Sequence, residues 1–353
     1  MKHTPYLILL AGALCLALLS GCGRSSEEAK PVLHVYNWSD YIAEGLLEQF
    51  EQANDCEVVY DVFDSNEALY AKLKAGATGY DVIFPSSYFV TIMVEEGMLQ
   101  PINKANIPNL ANLDPAFLAN VSLDKEMIHS VPYMSGTTGI AYRKDMVKDY
   151  EPSWTVYARE DLGGRMTLLD DMREVLGAAL KTLGYSLNST NEEEIGKAAD
   201  LAIIWKRNIA RFDNEGYKAG IASKEFWVVQ GYGGDIQQII DENEDEEIVY
   251  TLPKEGFAMW EDTMAIPAGA DNVELAEKFI NFMHSPEVAA ANIEFNYYLC
   301  PNTAAYALLG AEILANEVVF VPKEKMARGE QILDLGEDLA KYIKAWNRVK
   351  AAN

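Results

Sequence analysis

Residues 32–63, "VLHVYNWSDYIAEGLLEQFEQANDCEVVYDVF", hold two short runs rich in Val, Tyr and Phe, separated by a segment in which Leu46, Leu47 and Phe50 fall on one helical face. Short apolar runs of β-branched and aromatic residues predict strands, and a three-to-four-residue apolar spacing predicts an amphipathic helix. The alternation continues outward from this stretch. "NEALYAKLKAG" predicts a helix, "YDVIF" a strand and "SYFVTIMVEEG" a helix, with Gly76 and Gly97 where helix C-termini favour glycine. A βαβαβα order of this kind predicts an α/β fold built on a mostly parallel sheet flanked by helices.

After "IHSVPYMSGTTGIAYRKDMV" (128–147) a second α/β pattern begins. "GGRMTLLDD" predicts a loop and strand, "REVLGAALKTLGY" a helix, and "EEIGKAADLAIIWKRNIARF" one long helix. "SKEFWVVQGYGGDIQQIIDENEDEEIVYTLPKEG" predicts a strand, a Gly-rich turn, a helix, an acidic loop and a strand, and "VELAEKFINFMHSPEVAAANIEF" a single amphipathic helix. Without its leader the chain keeps roughly 330 residues, more than one core usually accommodates. Two α/β lobes are therefore expected: residues 32–137 plus 263–302 as lobe 1, and 138–262 plus 303–353 as lobe 2. The chain would cross between them near residues 135–140 and 260–265.

Residues 1–21 combine Lys2 with the apolar run "YLILLAGALCLALLSG", the pattern of an export signal too short for a membrane span. Leu19-Ser20-Gly21-Cys22 resembles a bacterial lipobox, which makes Cys22 the lipidation site and residues 22–31 a tether; an ordinary signal peptide that contains a cysteine is the alternative. The 29 basic and 54 acidic side chains give a formal net charge of −25. Nucleic acid and anionic membrane surfaces are poor partners for such a chain, whereas a cation is attracted. Cys56 and Cys300 alone remain in the body, and His34, His129 and His284 are scattered, so neither a disulfide framework nor a metal site is expected. No cofactor motif is present either: Gly231-Tyr232-Gly233-Gly234-Asp235 lacks the Lys-Ser/Thr and the spacing of nucleotide loops.

In open parallel sheets a ligand sits beyond the carboxyl ends of the strands. Trp38-Ser39-Asp40-Tyr41, Asp64-Ser65-Asn66-Glu67 and Pro85-Ser86-Ser87-Tyr88 each follow a predicted strand and should converge there. Ser39, Ser65 and Ser86 are ordinary helix N-cap residues, but capping does not account for Trp38 and Tyr88. Asp171 and Glu174, three apart at a helix start, could share a cleft as the acid and base of a hydrolase, or interact with the helix dipole.

"YNWSDYI", "DVFDSNEALYAKLKAG", "YDVIFPSSYFV", "NLDP", "VPYMSGTTGIAY", "LLDDMREV", "LPKEG" and "AIPAGA", in this order, resemble the spermidine- and putrescine-binding proteins of ABC transporters from about residue 32 to the C-terminus. The resemblance implies a two-lobed periplasmic-binding-protein fold, each lobe with a mostly parallel sheet, and a hinged cleft that closes on a polyamine. It implies Trp38, Ser39, Tyr41, Ser86, Tyr88, Glu174, Asp262 and Tyr298 as ligand-binding residues. Asp171 and Trp260 match the spermidine type, Asp235 matches the putrescine type, and Tyr232 stands where both usually have Trp. A glutamine of the spermidine type is replaced near Ile332, and Asp40 reads as a cap or rim acid. The expected partners are putrescine or spermidine, the permease subunits of an ABC transporter, and a membrane through the lipid anchor, with the protein a monomer at the extracytoplasmic face. An exported carboxylate-pair hydrolase and a polyamine sensor on the same scaffold are the alternatives.

Overall fold

The computed structural model describes residues 29–76, 79–121 and 123–352, so Cys22 and the leader lie outside the described residues. β1 (Val32–Trp38) and β2 (Glu57–Phe63) occupy the two runs that open the sequence pattern, joined by α1 (Leu46–Asn54), which buries Leu46 and Phe50. β1 pairs in parallel with β2 and with β3 (Val82–Ile83), and α2 (Asn66–Lys74) and α3 (Ser87–Glu95) complete the predicted order. Gly76 and Gly97 have positive φ and close α2 and α3, the left-handed conformation in which glycine has no Cβ penalty.

The second α/β pattern contains β5 (Met166–Leu168), α4 (Met172–Thr182), α5 (Glu192–Lys206), β6 (Ile209–Phe212), α6 (Gly216–Ala222), β7 (Val228–Tyr232) and α7 (Gly233–Glu242). β5 pairs in parallel with β6 and β7. Two long strands join the parallel sets: β4 (Ser130–Arg143) and β9 (Phe257–Ala265). Ser130–Thr137 of β4 pairs antiparallel with β9, while residues from Thr138 to Arg143 pair antiparallel with β7 and with β8 (Ile248–Thr251). The strand order is β2-β1-β3-β9-β4-β7-β5-β6, with β10 (Gly329–Gln331) added to β9 and β8 to β4. Val32–Asn353 forms one compact unit.

The mostly parallel expectation thus holds for the flanking strands and fails at the centre, where β4 and β9 run against each other. The helix predicted through residue 212 stops at Lys206. Ile209–Phe212 becomes a strand because pairing with β5 satisfies its backbone and buries Ile209, a tertiary gain that overrides helix propensity. The single helix predicted for residues 273–295 is two, α8 (Val273–Met283) and α9 (Pro286–Asn296). Pro286 has no N–H to continue a helix and fits the first turn of a new one. Gly233 and Gly234 open α7 and do not form a turn.

One apolar cluster gathers Val35, Phe84, Val131 and Met134 with Phe279, Ile280 and Ile293 of α8 and α9. A second gathers Met166, Leu168 and Val228 with the buried faces of α4 and α5 and Tyr342 near the C-terminus. Cys56 and Cys300 are buried in the first cluster.

Candidate ligand-binding site

β1, β2, β3, β5, β6 and β7 direct their carboxyl ends toward one cleft of about 660 Å3, part of it open to solvent. Trp38, Ser39 and Tyr41 come from the turn after β1, Ser86 and Tyr88 from the turn after β3, Asp171 and Glu174 from the start of α4 after β5, and Asp235 from α7 after β7. Tyr232 ends β7, Trp260 and Asp262 lie within β9, and Tyr298 follows α9. All twelve sequence-predicted site residues line this one cleft.

Strand pairing sets the wall at Asp262. Because side chains alternate along β9, Trp260 and Asp262 share a face that Glu261 does not. β9 lies between β3 and β4, and a backbone bridge sets Ser86 opposite Asp262. The Ser86 hydroxyl donates to Asp262 Oδ1 at 2.6 Å and accepts from Asn66 Nδ2 at 2.9 Å. Tyr41 donates to Asp262 Oδ2 at 2.7 Å. Capping therefore describes Ser65, which accepts from Ala68 N, but not Ser86, whose hydroxyl is engaged in the cleft, nor Ser39, which donates to Glu215 Oε1 at 2.8 Å.

Asp171 has both a capping and a cleft position: its Oδ1 accepts from the backbone N–H of Arg173 (2.7 Å) and Glu174 (3.0 Å). Glu174 Oε1 accepts from Thr138 Oγ1 at 2.8 Å. Asp235 receives the hydroxyls of Tyr298 on Oδ1 (2.5 Å) and Tyr217 on Oδ2 (2.8 Å). The aromatic rings stand edge to face in a chain, Tyr232 to Trp260 at 5.9 Å between centroids, Trp260 to Tyr298 at 5.0 Å and Tyr298 to Tyr41 at 5.5 Å.

Burial raises the carboxyls of this cleft. Glu174, 4% exposed, is pushed up to about 8 by burial and then by the Asp171 charge, against the Thr138 hydroxyl and the Arg173 charge. Asp262, 6% exposed, is pushed up to about 6 by burial, against the bonds from Ser86 and Tyr41. Asp171 and Asp235 are raised for the same first cause. Acids held this way gain from a cation that enters and desolvates with them. Among the described residues no three His, Cys, Asp or Glu side chains converge as a metal ion would require. Aromatic faces between the acids suit methylene groups and attract cations. An elongated organic cation with ammonium groups at its ends has that form.

A family model described as bacterial extracellular solute-binding protein matches residues 45–319. The chain belongs to the bacterial extracellular solute-binding proteins. Among relatives of this solute-binding protein, the spermidine/putrescine-binding periplasmic protein of Salmonella typhimurium is 35% identical over 353 residues, covering 99% of each chain. The putrescine-binding periplasmic protein PotF of Escherichia coli is 34% identical, covering 97% of this chain and 96% of its own length. The crystal structure of the TpPotD lipoprotein of Treponema pallidum superposes with a TM-score of 0.81 at 36% identity, covering 90% of this chain and 99% of that one.

The cleft of this solute-binding protein is also lined by Asp64, Asn66, Asn214, Glu215 and Ile332, which the sequence-predicted set does not contain. Asp64 and Asn66 belong to the loop after β2, one of the three loops that the sequence places at this edge of the sheet. Asn214 and Glu215 follow β6, the strand hidden inside the predicted long helix. Asp40 has positive φ and pairs with Lys218 at 2.8 Å, as a rim acid and not as a cap.

Gly234 lets this wall close. A Cβ there would stand 2.5 Å from the Tyr298 ring and against the Asn296 carbonyl, which is backbone and cannot swing aside. Gly234→Ala is expected to cost about 1–3 kcal/mol of stability, as overpacking does, and to weaken ligand binding by displacing Tyr298. Thermal unfolding of the variant beside the parent measures the first effect, and an unchanged melting temperature would contradict it.

Proposed function

We propose that this chain captures a polyamine, putrescine or spermidine, in the cleft and delivers it to the permease of an ABC transporter at the extracytoplasmic face of the membrane. The observation that carries the reading is the alternation of Asp171/Glu174, Asp262 and Asp235 with Tyr232, Trp260, Tyr298 and Tyr41 along one cleft. Carboxylates meet the ammonium groups and rings lie along the methylenes between them. The names of the relatives support the same ligand class. Capture requires no bond to form or break. A hydrolytic role for Asp171 and Glu174 has weak support, since the Asp171 carboxylate is engaged as the cap of α4.

In this reading residues 32–137 plus 263–302 and residues 138–262 plus 303–353 act as two lobes that close by bending at β4 and β9, and the protein works as a monomer. Native mass spectrometry of the purified protein tests the ligand: a co-purified mass equal to a diamine or triamine supports it, and turnover of a glycoside with no amine uptake sinks it. Cys22 is the proposed lipid attachment point. Cys22→Ser is expected to move the protein from the membrane fraction to the soluble one at unchanged polyamine affinity; equal membrane association of the two forms would reject the anchor.

A further inference from the structure

The acids of the cleft differ in what already neutralises them. Among the described residues, Asp262 has only the hydroxyls of Tyr41 and Ser86. Asp171 and Glu174 share the charge of one cation, Arg173, whose guanidinium donates to the Leu333 carbonyl (2.8 Å) and Asn188 Oδ1 (2.6 Å). Asp235 instead has an ammonium group of the protein beside it. Lys218 on α6 places Nζ 4.0 Å from Asp235 Oδ2, held there by Asp40 at 2.8 Å and Glu215 at 2.9 Å. Its side chain is 18% exposed, against 57% for Asp40, and it contacts Asp235 and Glu215, which line the cleft, without being a lining residue itself.

A lysine side chain is four methylenes ending in an ammonium group, the chemistry of an aminobutyl arm. We propose that Lys218 is a resident ammonium group that fills the place beside Asp235 and restricts the cleft to ligands with two ammonium groups, an inference that rests on the polyamine reading above. Two positions then remain short of positive charge, Asp262 and the Asp171/Glu174 pair. A third ammonium group on the ligand would have to compete with Lys218 for Asp235 and Glu215, the cleft acids that Lys218 already contacts. Ile332, buried at the edge of the same cleft, offers that third group no acceptor either.

Calorimetric titration of the full chain with putrescine and with spermidine, at one pH and one salt concentration, tests this. The unaltered protein should bind the diamine more tightly than the triamine. Lys218→Met should shift the ratio of the two affinities toward spermidine by about tenfold or more. Lys218→Arg keeps the charge and should keep the original ratio. Asp40→Asn removes one of the two contacts that hold the ammonium, Glu215 still keeps it by Asp235, and the ratio should again be kept. A ratio that changes by less than about threefold in Lys218→Met, or an equal loss for both amines in Lys218→Met and Asp40→Asn, would overturn the proposal in favour of simple bracing of the rim. If Lys218→Met does not fold by circular dichroism, Lys218→Gln carries the same expectation. Should the unaltered protein take up neither amine, the polyamine reading itself falls, a result separate from an unchanged ratio.

Discussion

Asp262→Asn is expected to weaken polyamine binding by about 30-fold to several thousand-fold, because truncating one partner of a buried charged hydrogen bond costs about 2–5 kcal/mol and each 1.4 kcal/mol is about tenfold. Both carboxylate oxygens already accept hydroxyls, from Ser86 at 2.6 Å and Tyr41 at 2.7 Å. An amide at this position removes the charge that an ammonium would meet and turns one acceptor into a donor facing a hydroxyl. Asp40→Asn provides the contrast. Asp40 is more than half exposed and its pair with Lys218 is a rim contact, so its loss should cost about 1 kcal/mol or less. Calorimetry on both variants with both amines decides the ranking; a greater loss in Asp40→Asn for either amine would move the ammonium position away from β9.

Affinity should also fall steeply on acidification. Glu174 holds its proton up to about 8 and Asp262 up to about 6 in the free protein, both through burial first. An entering ammonium group favours the ionised forms, so binding expels protons, while the ligand's terminal amines, like a lysine's at about 10, stay charged over this range. Affinity should drop roughly a hundredfold between pH 8 and pH 6, with up to about one proton released per ligand at pH 7. The free protein should behave in the opposite sense. The carboxyls rise from ordinary values of 4.5 for Glu174 and 3.8 for Asp262, so the native state retains protons that the unfolded chain gives up. That stabilisation is complete below the ordinary values and is lost as pH climbs through about 6 and about 8. Titrations in buffers of different ionisation enthalpy, together with melting curves of the free protein from pH 5 to pH 8, read both signs. A pH-independent affinity would mean that neither acid meets an ammonium group.

What the sequence made legible follows from what its patterns encode. Strand and helix periods located β1, β2, α2 and α3 closely, and the rule that ligands sit beyond strand carboxyl ends pointed to Trp38, Ser86 and their neighbours. Charge and spacing alone could not separate a capping serine from a cleft serine. Ser65 and Ser86 have the same residue type and the same place before a helix, and only the backbone bridge between Ser86 and Asp262 draws one hydroxyl inward. The omission of Asn214 and Glu215 has one cause. The apolar period of Ile209–Phe212 continues that of the helix before it and marks no strand end, and the strand exists because β5 lies beside it in space, a relation that no local window contains. The break at Pro286, by contrast, is written in the chain, since a proline ends one helix and opens the next whatever the apolar period on either side.

β4 is a single strand that serves two partners in succession, β9 through Thr137 and then β7 and β8 from Thr138. A strand read on both sides of a sheet seam acts as a common ruler. A slip of one residue would turn over its side chains against both partners at once, so neither half can settle its register alone. The same ruler joins the halves in unfolding, since melting either one withdraws backbone partners from the other, and the molecule should come apart as one cooperative body despite its length.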